Sequence, residues 1–247
     1  MLEEPVRSLS LAGLPQHLHV PWGGSPRAAI EWAARLGYRS VQLDGTAAGV
    51  RARELDRSAR RDLAAVLRRM QLECSGIDLW IPVSHFSDPS HVDRAVLATV
   101  QAVELAAELS LLGGCTPGIV SLTLPSEPAP GVRISLNAAC ERFGACIADH
   151  AWPPRAHEGP IGAGLDAAAA LMAGADPVVA VSKLPEPPFS ARLSDAGAVG
   201  RCPLGAGRLD PLAYEASLVT KGYRRSVIVD LRGLADAEQA AAAGLRG

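Results

Sequence analysis

Hydrophobic positions along the chain switch between a period near 3.6 and a period near 2 in a repeating order, which predicts strands and helices in alternation. Arg57 to Met70 places Leu63, Val66, Leu67 and Met70 on one helical face. Ser25 to Gly37 carries helix punctuation as well, with Ser25 suited to the N-cap, Pro26 to the first turn and Gly37 to the residue past the end. Further helices are predicted from His91 to about Leu111, Ala138 to Asp149, Ala167 to Ala170, Pro177 to Lys183 behind an Asp176 cap, Pro211 to Thr220 and Ala235 to Ala243. Eight strands are predicted: His17–Pro21 after a polar N-terminal segment, Tyr38–Asp44, Leu72–Pro82, Ile119–Leu124, Val132–Asn137, Ile161–Asp166, Phe189–Asp195 and Ser226–Asp230.

Eight strands with mostly alternating helices are the pattern of an α/β protein of the (β/α)8 TIM-barrel type. Only Pro125 to Gly131 separates the fourth predicted strand from the fifth, too short for a crossover helix. Those strands are therefore either a hairpin or joined by a short irregular crossover; the second reading gives a somewhat reduced barrel whose helix between strands 4 and 5 is missing. Such a gap leaves apolar wall uncovered, for another subunit or a rearranged segment to cover. No linker or long repeat interrupts the pattern, so residues 1–247 are expected to form a single domain.

Composition narrows the function classes. A net charge of -2 gives no electrostatic footprint for nucleic acid. There is no run of 18 apolar residues and the N-terminus lacks signal-peptide features, so a cytoplasmic protein without membrane attachment is expected. The five cysteines form no CxxC pair and read as small buried or incidental thiols.

In a parallel α/β barrel ligands sit at the C-terminal ends of the strands. Aligning those ends brings His19, Asp44, Asp78, Thr123, Asn137, Asp166, Arg192 with Asp195, and Asp230 to the rim. Several acids there can bind a cation or transfer protons, although Asp and Asn also serve simply as caps. Asp166, Arg192 and Asp230 come from three successive strands and so share one quadrant. His85 and His150 lie in loops bordering the mouth, and Trp22 and Trp80 near strand ends can stack on a sugar ring.

Five stretches carry a family resemblance: Gly37-Tyr-Arg-Ser-Val-Gln-Leu-Asp44; Gly164-Leu-Asp166 with Leu171 to Pro177; Arg192-Leu-Ser-Asp195; Pro203 to Asp210; and Gly222 to Asp230. In order and spacing they resemble the xylose isomerase-like TIM barrels of the sugar phosphate isomerase/epimerase superfamily. The resemblance implies a divalent metal held by a Glu ending strand 5, an Asp ending strand 6, a His on strand 7 and a Glu ending strand 8, with the two glutamates exchanging a proton at the substrate carbon. Laid onto this chain, those positions are Asn137, Asp166, Arg192 and Asp230, and a helical His that often follows the Asp is Ala169. Asn137 is no proton-transfer base, and a guanidinium has no lone pair for a metal. The cofactor is therefore unknown: the implied metal is not expected to bind in the family manner, with Asp166 and Asp230 as its ligands if any.

Two readings follow. The chain is a sugar or sugar-phosphate isomerase/epimerase relative, with Asp166 and Asp230 as catalytic acids and with Arg192, Asp195, Asn137, Asp78, Asp44, His19 and His85 around a sugar-like, possibly anionic ligand. Alternatively, it is an inactive binding or structural barrel in which Arg192 replaces the metal charge. A hydrolase or lyase pairing His85 or His150 with Asp78 is a third possibility, and the protein is a candidate homo-oligomer.

Overall fold

The computed structural model describes residues 5–14, 26–113, 118–155 and 157–246. Eight parallel strands close a barrel: β1 (Arg7–Ser10), β2 (Ser40–Asp44), β3 (Glu73–Asp78), β4 (Gly118–Leu122), β5 (Ala145–Asp149), β6 (Ile161–Asp166), β7 (Ser190–Leu193) and β10 (Val227–Val229). Closure comes from β1, which pairs with β2 on one side and with β10 on the other. Two short strands after β7, β8 (Asp195–Gly197) and β9 (Gly200–Cys202), form an antiparallel hairpin outside the barrel. The outer layer is α1 (Pro26–Leu36), α2 (Arg57–Arg69), α3 (Val92–Gly113), α4 (Val132–Phe143), α5 (Ala167–Met172), α6 (Pro177–Lys183), α7 (Pro211–Lys221) and α8 (Ala237–Arg246). This is a (β/α)8 TIM barrel.

Three expectations require correction. The first barrel strand is Arg7–Ser10, within the segment read as polar; the strand expected at His17–Pro21, with His19, lies outside the described residues. Val132 to Asn137 is the start of α4, not a strand, and Ala145 to Asp149 is β5, not the end of a helix. The Val-Arg-Ile-Ser-Leu-Asn alternation mimics a strand, but Val132, Leu136, Ala139 and Cys140 also have helical spacing, and it is these that are buried. Ile134, the alternation's middle member, is 75% exposed. Gly144, in the left-handed region at φ 69°, ends the helix by donating its N–H to the Cys140 carbonyl. The crossover with no helix among its described residues is the next one, between Asp149 and Ile161, so α4 stands where bare wall was expected.

By length and composition alone α3 could span a membrane, yet half of that stretch is buried, and the helix packs on β3, β4, α2 and α4. The closeness of that packing has a definite cause. A Cβ on Gly118 would lie 2.5 Å from the Ala106 carbonyl oxygen, so the absence of a side chain lets α3 settle on β4.

The barrel interior is polar at mid-height. Ser8 and Ser75 hydroxyls are 2.7 Å apart, Gln42 Nε2 donates to Ser121 Oγ at 3.1 Å, and Ser121 Oγ donates to Ser190 Oγ at 3.4 Å. None of these pairs lies on neighbouring strands, so the bonds cross the interior where branched aliphatic side chains are usual. On β6, Gly162 and Gly164 admit side chains rather than backbone. The Phe189 ring fills the space of one missing Cβ and the His150 ring that of the other, at 2.6 to 2.7 Å from where that carbon would be.

Candidate functional site at the barrel mouth

Asp78, Asp166, Arg192 and Asp230 stand at the C-terminal ends of β3, β6, β7 and β10, and all four are buried. Register places Asp166 opposite Arg192, two positions above Ser190, so its side chain rises from the serine layer into the mouth. The Arg192 guanidinium then reaches three carboxylates. Its Nη2 donates to Asp78 Oδ2 at 3.1 Å, Nη1 lies 3.7 Å from Asp166 Oδ2, and Nε lies 3.9 Å from Asp230 Oδ2.

Two loop arginines complete the knot. Arg201, carried in by β9, binds Asp166 Oδ2 through Nη2 and Asp230 Oδ2 through Nη1 at 3.0 Å. Arg232 grips Asp230 through Nε at 2.9 Å and Nη2 at 2.7 Å, and its Nη1 lies 3.4 Å from Asp78 Oδ2. Three carboxylates are thereby matched by three guanidiniums in a water-poor environment, the condition under which buried charge is tolerable.

The acids respond differently to this setting. Burial would raise the Asp230 pKa, but hydrogen bonds from Arg232 and the charges of Arg232, Arg192 and Arg201 outweigh it and hold the carboxyl far below the usual range. For Asp78 burial wins: Arg192 and Arg232 lower the pKa, Asp230 and Asp44 raise it, and the net shift is upward. His150, which follows β5, is pushed well below the ordinary imidazole value, first by burial and then by Arg192 and Arg232. The Asp230 charge and the Leu165 backbone act in the opposite direction and are outweighed.

Asp166 does two jobs. Its Oδ1 caps α5 by accepting from Ala169 N–H at 3.2 Å and takes the Ser194 hydroxyl at 2.7 Å, while Oδ2 faces the arginines. Helix capping thus occupies only one of its oxygens.

Other expected site residues are elsewhere. Asn137 lies on α4 and is not a strand-end residue, so it does not hold the family's strand-5 position. The residue ending β5 is Asp149, which accepts from the N–H groups of Leu124 and Ala151 and from Arg155 Nη2. Burial opposes ionisation there, but His157 and these donors prevail and lower its pKa. Both Asp195 carboxylate oxygens accept backbone N–H groups, from Ala196, Gly205, Gly207, Arg208 and Leu209, and so shape the loop after β9. Asp44 accepts the Thr46 N–H and hydroxyl in a local turn. His85 stacks on His91 with ring centroids 4.3 Å apart, in a short 3₁₀ turn over Val83–Phe86 outside the knot. Arg201 and Arg232 escaped the sequence reading; Arg232, two residues past a strand-end acid, carried a local signal, whereas Arg201 meets Asp166 across 35 residues and carried none.

Beside the knot a cavity of about 170 Å³ opens between the ends of β3 and β4, lined by Asp78, Trp80, Thr123, Arg192 and Arg232 among others. Trp80 is 65% exposed.

Comparison with solved structures places this geometry in context. The chain superposes on a D-tagatose 3-epimerase-like protein with a TM-score of 0.68 at 14% identity, covering 97% of this chain and 94% of that one. The closed (β/α)8 barrel fold is shared. A sugar phosphate isomerase/epimerase from Parabacteroides distasonis ATCC 8503 gives 0.65 at 13% identity, covering 98% of this chain and 93% of that one. A xylose isomerase-like TIM-barrel protein from Mycobacterium smegmatis in complex with magnesium gives 0.66 at 13% identity, with 98% and 95% covered. No family model and no curated protein matches the sequence.

The mouth of this barrel does not fit a divalent cation held in the manner the resemblance implies. Asp166 and Asp230 face arginines, and the seventh-strand position is itself a guanidinium that repels a cation. Among the described residues no three His, Cys, Asp or Glu side chains are grouped to hold a metal ion.

Proposed function

We propose that this xylose isomerase-like barrel binds a small polyhydroxylated ligand in the cavity beside Asp78, without the metal-dependent proton exchange that its sequence resemblance implies. The observation carrying this reading is the position of Arg192 amid Asp78, Asp166 and Asp230. A permanent cation there supplies the positive charge of a metal but offers no open coordination site and no Lewis acidity. The carboxylates it holds are tied up in ion pairs, so Asp166 and Asp230 serve as anchors for the arginines. The cavity wall supports hydroxyl recognition, with a carboxyl group at Asp78, a hydroxyl at Thr123, guanidiniums at Arg192 and Arg232, and an exposed indole at Trp80.

Acid–base catalysis is favoured as a second reading by one feature. Asp78 lines the cavity and its pKa lies above the usual carboxylate value, as suits a group that lends a proton. Calorimetric titration with a panel of ketoses, aldoses and polyols, run with and without chelator, tests the first reading; chelator-resistant binding lost in Arg232→Ala supports it, and binding abolished by chelator refutes it. Turnover of any bound sugar that disappears in Asp78→Asn would favour the second.

A further inference from the structure

A second cavity, of about 140 Å³, lies on the other side of the segment Leu79-Trp80-Ile81. It is bounded by the loop after β2, by β3 and by the middle of α3, and the same three residues line the cavity beside the knot. The two spaces are thus neighbours with one shared wall, and its exposed member is Trp80. Their chemistry differs. The first is edged by Asp78, Thr123, Arg192 and Arg232, while the second is walled by Val50, Ile77, Ala98, Ala102 and Leu105, with Arg51 and Arg53 among its other lining residues.

We propose that the ligand is amphipathic: a glycoside or similarly substituted polyol whose hydroxylated part occupies the cavity at Asp78 and whose apolar substituent crosses Trp80 into the α3 cavity. This inference rests on the polyol-binding reading above and specifies its substrate class. Size sets the substituent. An apolar cavity of roughly 150 Å³ admits a benzene ring, so the space under the β2 loop takes one six-membered ring or a short alkyl chain. The polar cavity is slightly larger, about 170 Å³, and takes one compact sugar ring whose remaining surface stays at the open mouth. The indole between them offers a flat apolar face, which serves a sugar ring and an aryl group equally.

The test compares methyl and phenyl β-glycosides of glucose, galactose and mannose by calorimetry against the full chain, as wild type and as Ala98→Phe. Ala98 lies on the half-buried face of α3 and lines only the apolar space, so the variant fills that space and leaves Asp78, Arg192 and Arg232 untouched. A circular dichroism melt checks that it is folded; Ala98→Leu, a smaller fill, replaces it if it is not. The expected result is at least one phenyl glycoside that binds tenfold or more tightly than its methyl counterpart, about 1.4 kcal/mol, with that advantage lost in the filled variant and methyl glycoside affinity unchanged. Equal affinity for the methyl and phenyl forms in the wild type overturns the inference and leaves the polyol reading standing. An advantage that survives the filled variants also overturns it. Binding by none of the glycosides overturns the inference, and the polyol reading is then decided by the ketose, aldose and polyol titrations.

Discussion

Replacing Arg192 by Met keeps a side chain of similar reach and removes the guanidinium at the centre of the knot. The loss is unequal among the acids. Asp230 keeps the fork from Arg232 and the bond from Arg201, and Asp166 keeps Arg201 and Ser194. Among the described residues Asp78 keeps only Arg232 Nη1, at 3.4 Å and beyond a good hydrogen bond. Breaking a buried pair by deleting one partner costs about 3–5 kcal/mol, far more than the median exposed pair, and Arg192 and Asp78 are 4% and 1% exposed. Arg192→Met should therefore lower stability by about 3–5 kcal/mol, which for a chain of this size is roughly 6–20 °C in Tm at about 2–4 °C per kcal/mol. Removing the stranded charge as well, in Arg192→Met/Asp78→Asn, should recover much of that loss. The penalty has a pH signature. The Asp78 pKa is already raised in the folded state and rises further without Arg192, so the stability it lends is full below the unfolded value near 3.9 and is lost as pH rises through the folded value. The single variant should be closest to wild type in mild acid and furthest from it at neutral pH and above. Urea unfolding at several pH values reads all three effects. A single-variant cost under about 1 kcal/mol, the worth of an exposed pair, or a double variant as unstable as the sum of its parts would refute the reasoning.

Further outcomes follow from other contacts. The Asp230 pKa is depressed, so its contribution is present above the unfolded value near 3.9 and lost as pH falls below it; Asp230→Asn should be less stable at neutral pH and lose less between pH 5 and 3, by acid titration followed with circular dichroism. His150 is held neutral in the fold, so the unfolded chain takes up a proton near pH 6.5 that the native chain refuses; His150→Phe should flatten the stability profile between pH 7 and 5, and a slope equal to wild type would contradict the burial assigned to the ring. Gly118→Ala sets a methyl against backbone and should cost about 1–3 kcal/mol or more in urea unfolding, whereas Gly174→Ala, with open space around it, should show only the strain of its φ of 75°. Asp195→Ala strips the acceptor from the loop that follows β9 and should raise amide exchange over residues 205–209 before it affects the barrel strands.

Legibility in the sequence followed the strength of local punctuation. α1 is closed by Gly37 as expected, Asp176 caps α6 through the Val178 N–H, and β6 ends on Asp166 where the alternation stops. β1 lacks the apolar alternation that reveals a strand, whereas β4 carries its inward Ser121 beside enough Ile, Val and Leu to be read. Arg7-Ser-Leu-Ser10 offers one apolar residue in four and was passed over. The α4 difference has the opposite cause: six residues alternate cleanly while fitting a helix equally well, and the deciding Gly144 lies seven residues beyond the stretch. At the mouth, Arg192 as a cation beside Asp166 and Asp230 was readable from strand order, since three successive barrel strands deliver them to one quadrant. Arg232 stands two residues past a strand-end acid, but the arginine from β9 and the engagement of Asp195 with backbone depend on how loops fold back, and no short-range pattern encodes that.

Elemental analysis of protein purified without chelator and then dialysed against magnesium, manganese, cobalt or zinc tests the central claim most directly, with Asp166→Ala and Asp230→Ala as controls. With Arg192 between the acids, bound metal should stay substoichiometric in the wild type and change in neither variant. One equivalent retained by the wild type and lost from both variants would show that the carboxylates hold a cation and that the guanidinium does not take its place.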